Sequence, residues 1–147
     1  MSAEKNKAVI RSFEHACAIG DWATVDKLAA PNFVYHNPAY PGDLTLEGFK
    51  QKVVIDLVKA FPDLEFNIED IIAEGDKVVV RYSFGGTHKS EFAGIAPTNK
   101  RVRITSIVIN RLTDGKVVER WVESNPFALM LQLGVVPLPA GTFHIKK

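Results

Sequence analysis

Proton transfer without a metal or cofactor needs groups that gain and lose a proton near neutral pH. In this sequence the residues placed for it are a carboxylate and two imidazoles near the ends of extended segments. Along Lys116 to Ser124, period-two alternation puts Trp121, Glu123 and Asn125 on one face and Arg120, Val122 and Ser124 on the other. A tryptophan beside a carboxylate reads as a pocket wall, where apolar surroundings would strengthen the hold of Glu123 on its proton. The alternative is a solvent-facing Glu123 with Val122 turned to the core. His36 and His88 each stand where a strand ends, and an imidazole there can donate to a ligand carbonyl or accept a proton. The alternative for each is a histidine bonded to nearby backbone. Glu123, His36 and His88 are therefore the acid/base candidates, and Asn37, Trp121 and Asn125 the residues expected to position a substrate.

Other chemistries find little support. His15, His36, His88 and His144 fall in no HxxxH, HExxH or CxxC spacing, so no metal is expected, and ordinary polar roles outweigh a site assembled from distant His36 and His88. Gly85-Gly86-Thr87 and Gly94-Ile95-Ala96 match neither a phosphate-binding loop nor a dinucleotide fingerprint, so no cofactor is expected. Cys17 lies on an apolar helix stripe and reads as inert core, and the basic run Asn99-Lys100-Arg101-Val102-Arg103 reads as a strand start facing water.

The 147 residues suit one domain, residues 1–147. A net charge of +1 offers no field to attract nucleic acid or anionic lipid, and the most apolar stretch, Phe127 to Val136, is too short to span a bilayer. With a single cysteine and no N-x-Ser/Thr site, a reducing, cytoplasmic setting is expected.

The elements that must position the candidates follow from periodicity. Val9, Ile10, Phe13, Ala16 and Cys17 form a helical stripe over Ala3 to Ile19, which Gly20 ends. Asp21 caps a short second helix stopped by Pro31, and a strand over Phe33 to His36 follows. The Pro-, Gly- and Asn-rich stretch from His36 to Asp43 is a loop. Thr45 caps a third helix through Leu46, Phe49, Val53, Leu57 and Phe61. Alternating strands then run from Leu64 to Glu74, with a bulge expected at Asp70-Ile71-Ile72, from Lys77 to Thr87, from about Asn99 to Thr113, and from Lys116 to Ser124. A last helix covers Phe127 to Leu133. Helices first and long strands afterwards predict an α+β domain, with helices packed on one face of a curved antiparallel sheet that can enclose a pocket.

Several ordered strings carry a resemblance. Phe33-Val-Tyr-His-Asn-Pro, Leu46-Glu-Gly-Phe, Ala60-Phe-Pro-Asp-Leu, Gly86-Thr-His, Phe92-Ala-Gly-Ile-Ala-Pro-Thr-Asn-Lys, Asp114-Gly-Lys-Val-Val-Glu-Arg-Trp and Leu131-Gln-Leu-Gly resemble the SnoaL-like polyketide cyclases, or ester cyclases, over residues 6–137. The resemblance implies a nuclear transport factor 2-like fold, a cone-shaped half-barrel of curved sheet with three N-terminal helices and a short C-terminal helix around an apolar pocket. It also implies cofactor-free, intramolecular aldol-type cyclisation of a hydrophobic polyketide-like carbonyl compound, and a homodimer. The pattern often carries Asp directly after the Trp or four residues after it, where this sequence has Val122 and Asn125. Glu123 is the nearby substitute, and a binding or accessory protein that kept the pocket without the acid is the competing reading. The related steroid isomerases carry a Tyr on helix one that aligns with Phe13, here expected to contact substrate, and a catalytic Asp that aligns with Asn37, so their activity is disfavoured. Epoxide hydrolysis of the limonene type is disfavoured too, because Arg103 to Thr105 lacks the Asp that its Arg-x-Asp pair needs.

Overall fold

The apolar stripes define the folded elements closely. A computed structural model describes residues 2–137; His144 lies outside the described residues. Helix α1 (Ala3–Ile19) is capped by Ser2, whose hydroxyl accepts from the Lys5 amide, and ends at Gly20 with φ +72°. Helix α2 (Trp22–Leu28) is capped by Asp21 through the Thr24 amide, and strand β1 (Ala29–His36) follows at once.

The third helical run holds the main departure from expectation. One regular helix is expected from Thr45 onward. The chain instead forms a turn, α3 (Leu46–Gly48), a π-helical segment at Phe49–Ile55, and a closing α4 (Asp56–Ala60). The apolar spacing of this run, three residues and then four, four and four, is slower than the α period. A wider turn keeps Phe49, Val53 and Leu57 facing inward.

Strands β2 (Glu65–Glu74), β3 (Lys77–Thr87), β4 (Arg101–Thr113) and β5 (Lys116–Ser124) form an antiparallel meander. Strand β1 adds to the outer edge of β5 in parallel, so the sheet order is β1-β5-β4-β3-β2. The expected bulge falls slightly earlier, between Ile68 and Asp70, and a second interrupts β4 and β5 at Arg111/Leu112. Both bend the sheet over its helix-covered face. Helix α5 (Pro126–Leu133), with Gly134 at φ +76° after it, packs on β4.

The core divides in two. Ile10 and Phe13 of α1 and Val25 of α2 are buried together with Phe33, Phe49, Val78, Val80, Val108 and Val117. Ala60, Phe61, Val102, Ile104, Leu129 and Leu133 are buried at the α5 end. Residues from both groups, among them Tyr35, Phe49 and Val122 from the first and Ile104 and Leu129 from the second, line one cavity that separates them.

Candidate active site

The cavity holds about 870 Å³. Its walls are mostly apolar and aromatic, from Val53 and Leu57 of the helical run and from Phe66, Phe84, Ile104 and Val122 of the sheet. A volume of this size accommodates a multi-ring small molecule.

Which face of β5 lines it corrects the sequence expectation. Arg120, Val122 and Ser124 point inward and Glu119, Trp121 and Glu123 outward. Alternation fixes the two faces of a strand but not which one meets the core. Here Arg120 and Val122 are buried, while Glu123 is exposed opposite Ile107 on the outer face. Glu123 therefore has no apolar wall around its carboxyl.

The other expected residues are placed as follows. His36 sits at the rim, its Nδ1 2.8 Å from Asp43 Oδ1, its Nε2 2.6 Å from Glu119 Oε2, and its ring stacked on Trp121. The bond to Glu119, reinforced by Asp43, raises its pKa. Both ring nitrogens are thus engaged outside the cavity. His88 is fully buried beside Phe61, and its Nδ1 accepts from the Thr98 amide at 3.1 Å, which is the backbone-bonded alternative. Asn125 caps α5 by accepting from the Ala128 amide. Phe13 lies in the core under the floor, and Trp121 stacks on His36 rather than facing the cavity. Asn37 does line the cavity, with its Nδ2 3.4 Å from the Tyr35 hydroxyl. Val122, where the resembled pattern carries an acid, is part of the floor.

The structure brings together a pair that sequence reasoning missed. Glu14 of α1 and Arg120 of β5 both line the cavity, are both buried, and meet through Arg120 Nη2 and Glu14 Oε1 at 2.5 Å. The guanidinium carbon lies 4.9 Å from the Phe13 ring centre and 5.3 Å from that of Phe49. Burial works against the Arg120 charge, but Glu14, Cys17 and the phenols of Tyr82 and Tyr35 outweigh it and raise its pKa. Nε and Nη1 of Arg120 are buried and have no hydrogen-bond acceptor among the described residues.

Around the pair stand groups that keep their protons. Burial, with the Glu14 charge, pushes the Cys17 thiol up to about 12, and burial likewise raises the Tyr35 and Tyr82 phenols. The floor can therefore offer neutral hydroxyl donors, one fixed cation and one carboxylate. Both charged residues were legible as exceptions. Glu14 falls inside the helical stripe of Ile10, Phe13 and Cys17, and Arg120 shares its strand face with Val118 and Val122.

Among the described residues, no three His, Cys, Asp or Glu side chains gather as a metal-ligand set, and no helix is long and apolar enough to cross a membrane.

The family model for SnoaL-like polyketide cyclases matches residues 7–133. Among solved structures the chain is similar to AclR from Streptomyces galilaeus, provisionally called a hydroxylase, at 32% identity and TM-score 0.81 over 92% of this chain and 100% of that one. It is similar to TsrD from Streptomyces laurentii at 26% identity and TM-score 0.81, covering 92% of this chain and 99% of that one. It is also similar to IdmH from Streptomyces antibioticus, provisionally called a polyketide cyclase, at 31% identity and TM-score 0.77, covering 88% and 98%. No curated protein matches the sequence significantly.

Proposed function

The chain belongs to the SnoaL-like polyketide cyclase family, and from that premise we propose that it binds a hydrophobic, enolisable carbonyl compound of polyketide type and cyclises or isomerises it without a cofactor. In this reading Glu14 is the proton acceptor and Arg120 the group that holds the enolate oxygen. The observation that carries it is the buried Glu14–Arg120 pair on the floor of a mostly apolar cavity.

Proton transfer from the carbon next to the carbonyl breaks a C–H bond and leaves its electrons on the enolate. Glu14 becomes neutral as the negative charge appears on the substrate oxygen, so the charge moves within reach of one guanidinium and the net charge of the floor does not change. Charge stabilisation by a fixed cation in a dry site is a large catalytic term. The neutral Tyr35 and Tyr82 hydroxyls can donate to the same oxygen. Glu123, His36 and His88, directed elsewhere, have no part in this scheme.

The test needs no knowledge of the natural substrate. Exchange of the methyl protons of naphthyl methyl ketone into deuterated water is measured with the unaltered protein and with Glu14→Gln. The reading predicts catalysed exchange that falls about 10²-fold or more in the variant, the usual worth of a positioned acid/base. Equal rates would overturn it.

A second reading, a binding protein without catalysis, is favoured by one observation: Val122 stands on the cavity floor where the resembled pattern carries an acid. It predicts that the ketone binds with no exchange above solvent.

We also propose that the chain forms a homodimer through the outer sheet face. Exposed Ile72, Ile107 and Ile109 lie there beside Trp121, bordered by Arg81, Arg103 and Arg111 and by Asp70, Glu119 and Glu123. An apolar centre with both signs around it suits a face meeting a copy of itself. Light scattering should give twice the 16.3 kDa chain mass, and the monomer mass would contradict it.

A further inference from the structure

Glu14 and Arg120 cancel each other's charge, so a ligand that brings a third charge to the floor must bring compensation with it. Their side chains are 7% and 3% exposed. An uncompensated charge at that depth is strongly disfavoured. Yet the guanidinium is only partly used: Nη2 is taken by Glu14, while Nε and Nη1 have no acceptor among the described residues and lie in a guanidinium packed over the Phe13 and Phe49 rings. Buried N–H groups without partners favour a ligand that supplies oxygen acceptors.

We propose that the cavity is a proton-coupled site for apolar organic carboxylates, in which the ligand's anionic oxygens take the unused N–H groups of Arg120 while Glu14 accepts one proton from solvent. The proposal rests on the reading of Glu14 as a proton acceptor beside Arg120. Two unpartnered nitrogens call for more than one acceptor oxygen, which a carboxylate supplies. The apolar body of the ligand fits against Leu57, Leu64, Phe66, Phe84, Ile104 and Leu129.

The balance closes on named groups. Before binding the floor carries Arg120 positive and Glu14 negative. Afterwards Arg120 is positive, the ligand negative and Glu14 neutral, with one new O–H bond on Glu14 and one proton fewer in solvent. The other titratable or charged groups around Glu14 are Cys17 on α1, Tyr35 on β1, Tyr82 on β3, Arg120 on β5, and Lys50 in the π-helical segment. Cys17 is held at about 12, the two phenols and Arg120 are raised, and Lys50 is paired with Asp26 and Glu47. All of them already carry their protons at neutral pH, which leaves the Glu14 carboxylate as the proton acceptor among these described groups. At the mouth, exposed Lys52 and Lys59 are matched by Asp56 and Glu91, and an anion meets no net repulsion on entry.

Such a ligand reproduces the charge distribution of the enolate state and so competes with the carbonyl substrate, more strongly as pH falls.

Naphthoate is the probe, titrated by calorimetry between about pH 5.5 and 8, where its own carboxyl is ionised, in buffers of different ionisation heat. The expected result is a Kd that weakens about tenfold per pH unit, with one proton taken up per naphthoate bound. In Glu14→Gln, checked for an intact fold by circular dichroism, uptake disappears and Kd becomes flat with pH. Absence of binding, a flat Kd in the unaltered protein, or undiminished uptake in Glu14→Gln would each overturn the proposal, and the slope of the unaltered protein decides it even if the variant does not fold. Ketone exchange is read separately: its loss with the naphthoate slope intact would sink the catalytic reading alone, and a flat slope with exchange intact would sink the carboxylate site alone.

Discussion

Glu119 and Arg120 are adjacent on β5, yet their side chains enter two different electrostatic worlds. Glu119 turns outward to a rim cluster with His36, Arg111 and, through His36, Asp43. Arg120 turns inward to Glu14 and two aromatic rings. Each cluster contains a carboxylate and a cation at hydrogen-bond distance. The rim pairs are partly open to water, which screens them and makes each worth little. The floor pair is closed, so every change of charge there must be compensated locally. Burial more than residue type decides how a change of charge must be met, and the two carboxylate partners of His36 hold its ring outside the cavity lining.

Removing one partner from each cluster is the harshest trial of that contrast. Arg120→Leu strands the Glu14 carboxylate and should cost about 3–5 kcal/mol of stability in urea unfolding, whereas Arg111→Leu at the rim should cost under about 1 kcal/mol. Replacing both members, Glu14→Leu with Arg120→Met, should recover most of the loss, since no stranded charge remains. Similar losses at floor and rim would erase the distinction.

Cys17 reports on how closed the floor is. With burial holding its pKa at about 12, against about 8.5 for a free cysteine, the folded protein should react with iodoacetamide at neutral pH roughly 10³-fold more slowly than the urea-unfolded chain, because the thiolate is the nucleophile. Comparable rates would mean that the floor is open to solvent.

Val122→Asp places a second carboxylate on the floor. It should raise ketone exchange about tenfold or more, with a stability cost of about 1–3 kcal/mol for burying a polar group. The same acid introduced outside, as Thr105→Asp, should leave exchange unchanged, and an equal gain there would contradict the assignment of faces.

The smallest effect belongs to His36. Its folded pKa is raised by Glu119 and Asp43, so its contribution is fully present below the ordinary histidine value of about 6.5 and is lost as pH rises through the raised value. Unfolding curves of the unaltered protein and of His36→Gln should therefore differ most at acidic pH and converge at alkaline pH. A gap that widens with pH would reverse the sign.

Much of the architecture could be read from the sequence because backbone periodicity is local. The α1 stripe, the Gly20 stop and the Asp21 and Thr45 caps all act within a few residues, and all recur in the folded chain. The site was less legible because it depends on which face of β5 meets the cavity and on a partner 106 residues away. Tryptophan suggested the wrong face: Trp121 finds its apolar contact by stacking on His36, so its presence does not mark the interior. Asn125, whose side chain looked available to a ligand, is used by the first turn of α5. The better signal was a charge where periodicity demands an apolar residue, at Glu14 and again at Arg120. The π-helical segment left only a slow drift in apolar spacing, too weak to tell from an ordinary helix.

If proton transfer belongs to the floor and not to the rim or the outer face, ketone proton exchange in Glu14→Gln, His36→Gln and Glu123→Gln, measured under one set of conditions, must separate the three. A fall of about 10²-fold or more is expected in the first, with rates within about twofold of the unaltered protein in the other two. A large fall in His36→Gln or Glu123→Gln with Glu14→Gln unaffected would contradict it.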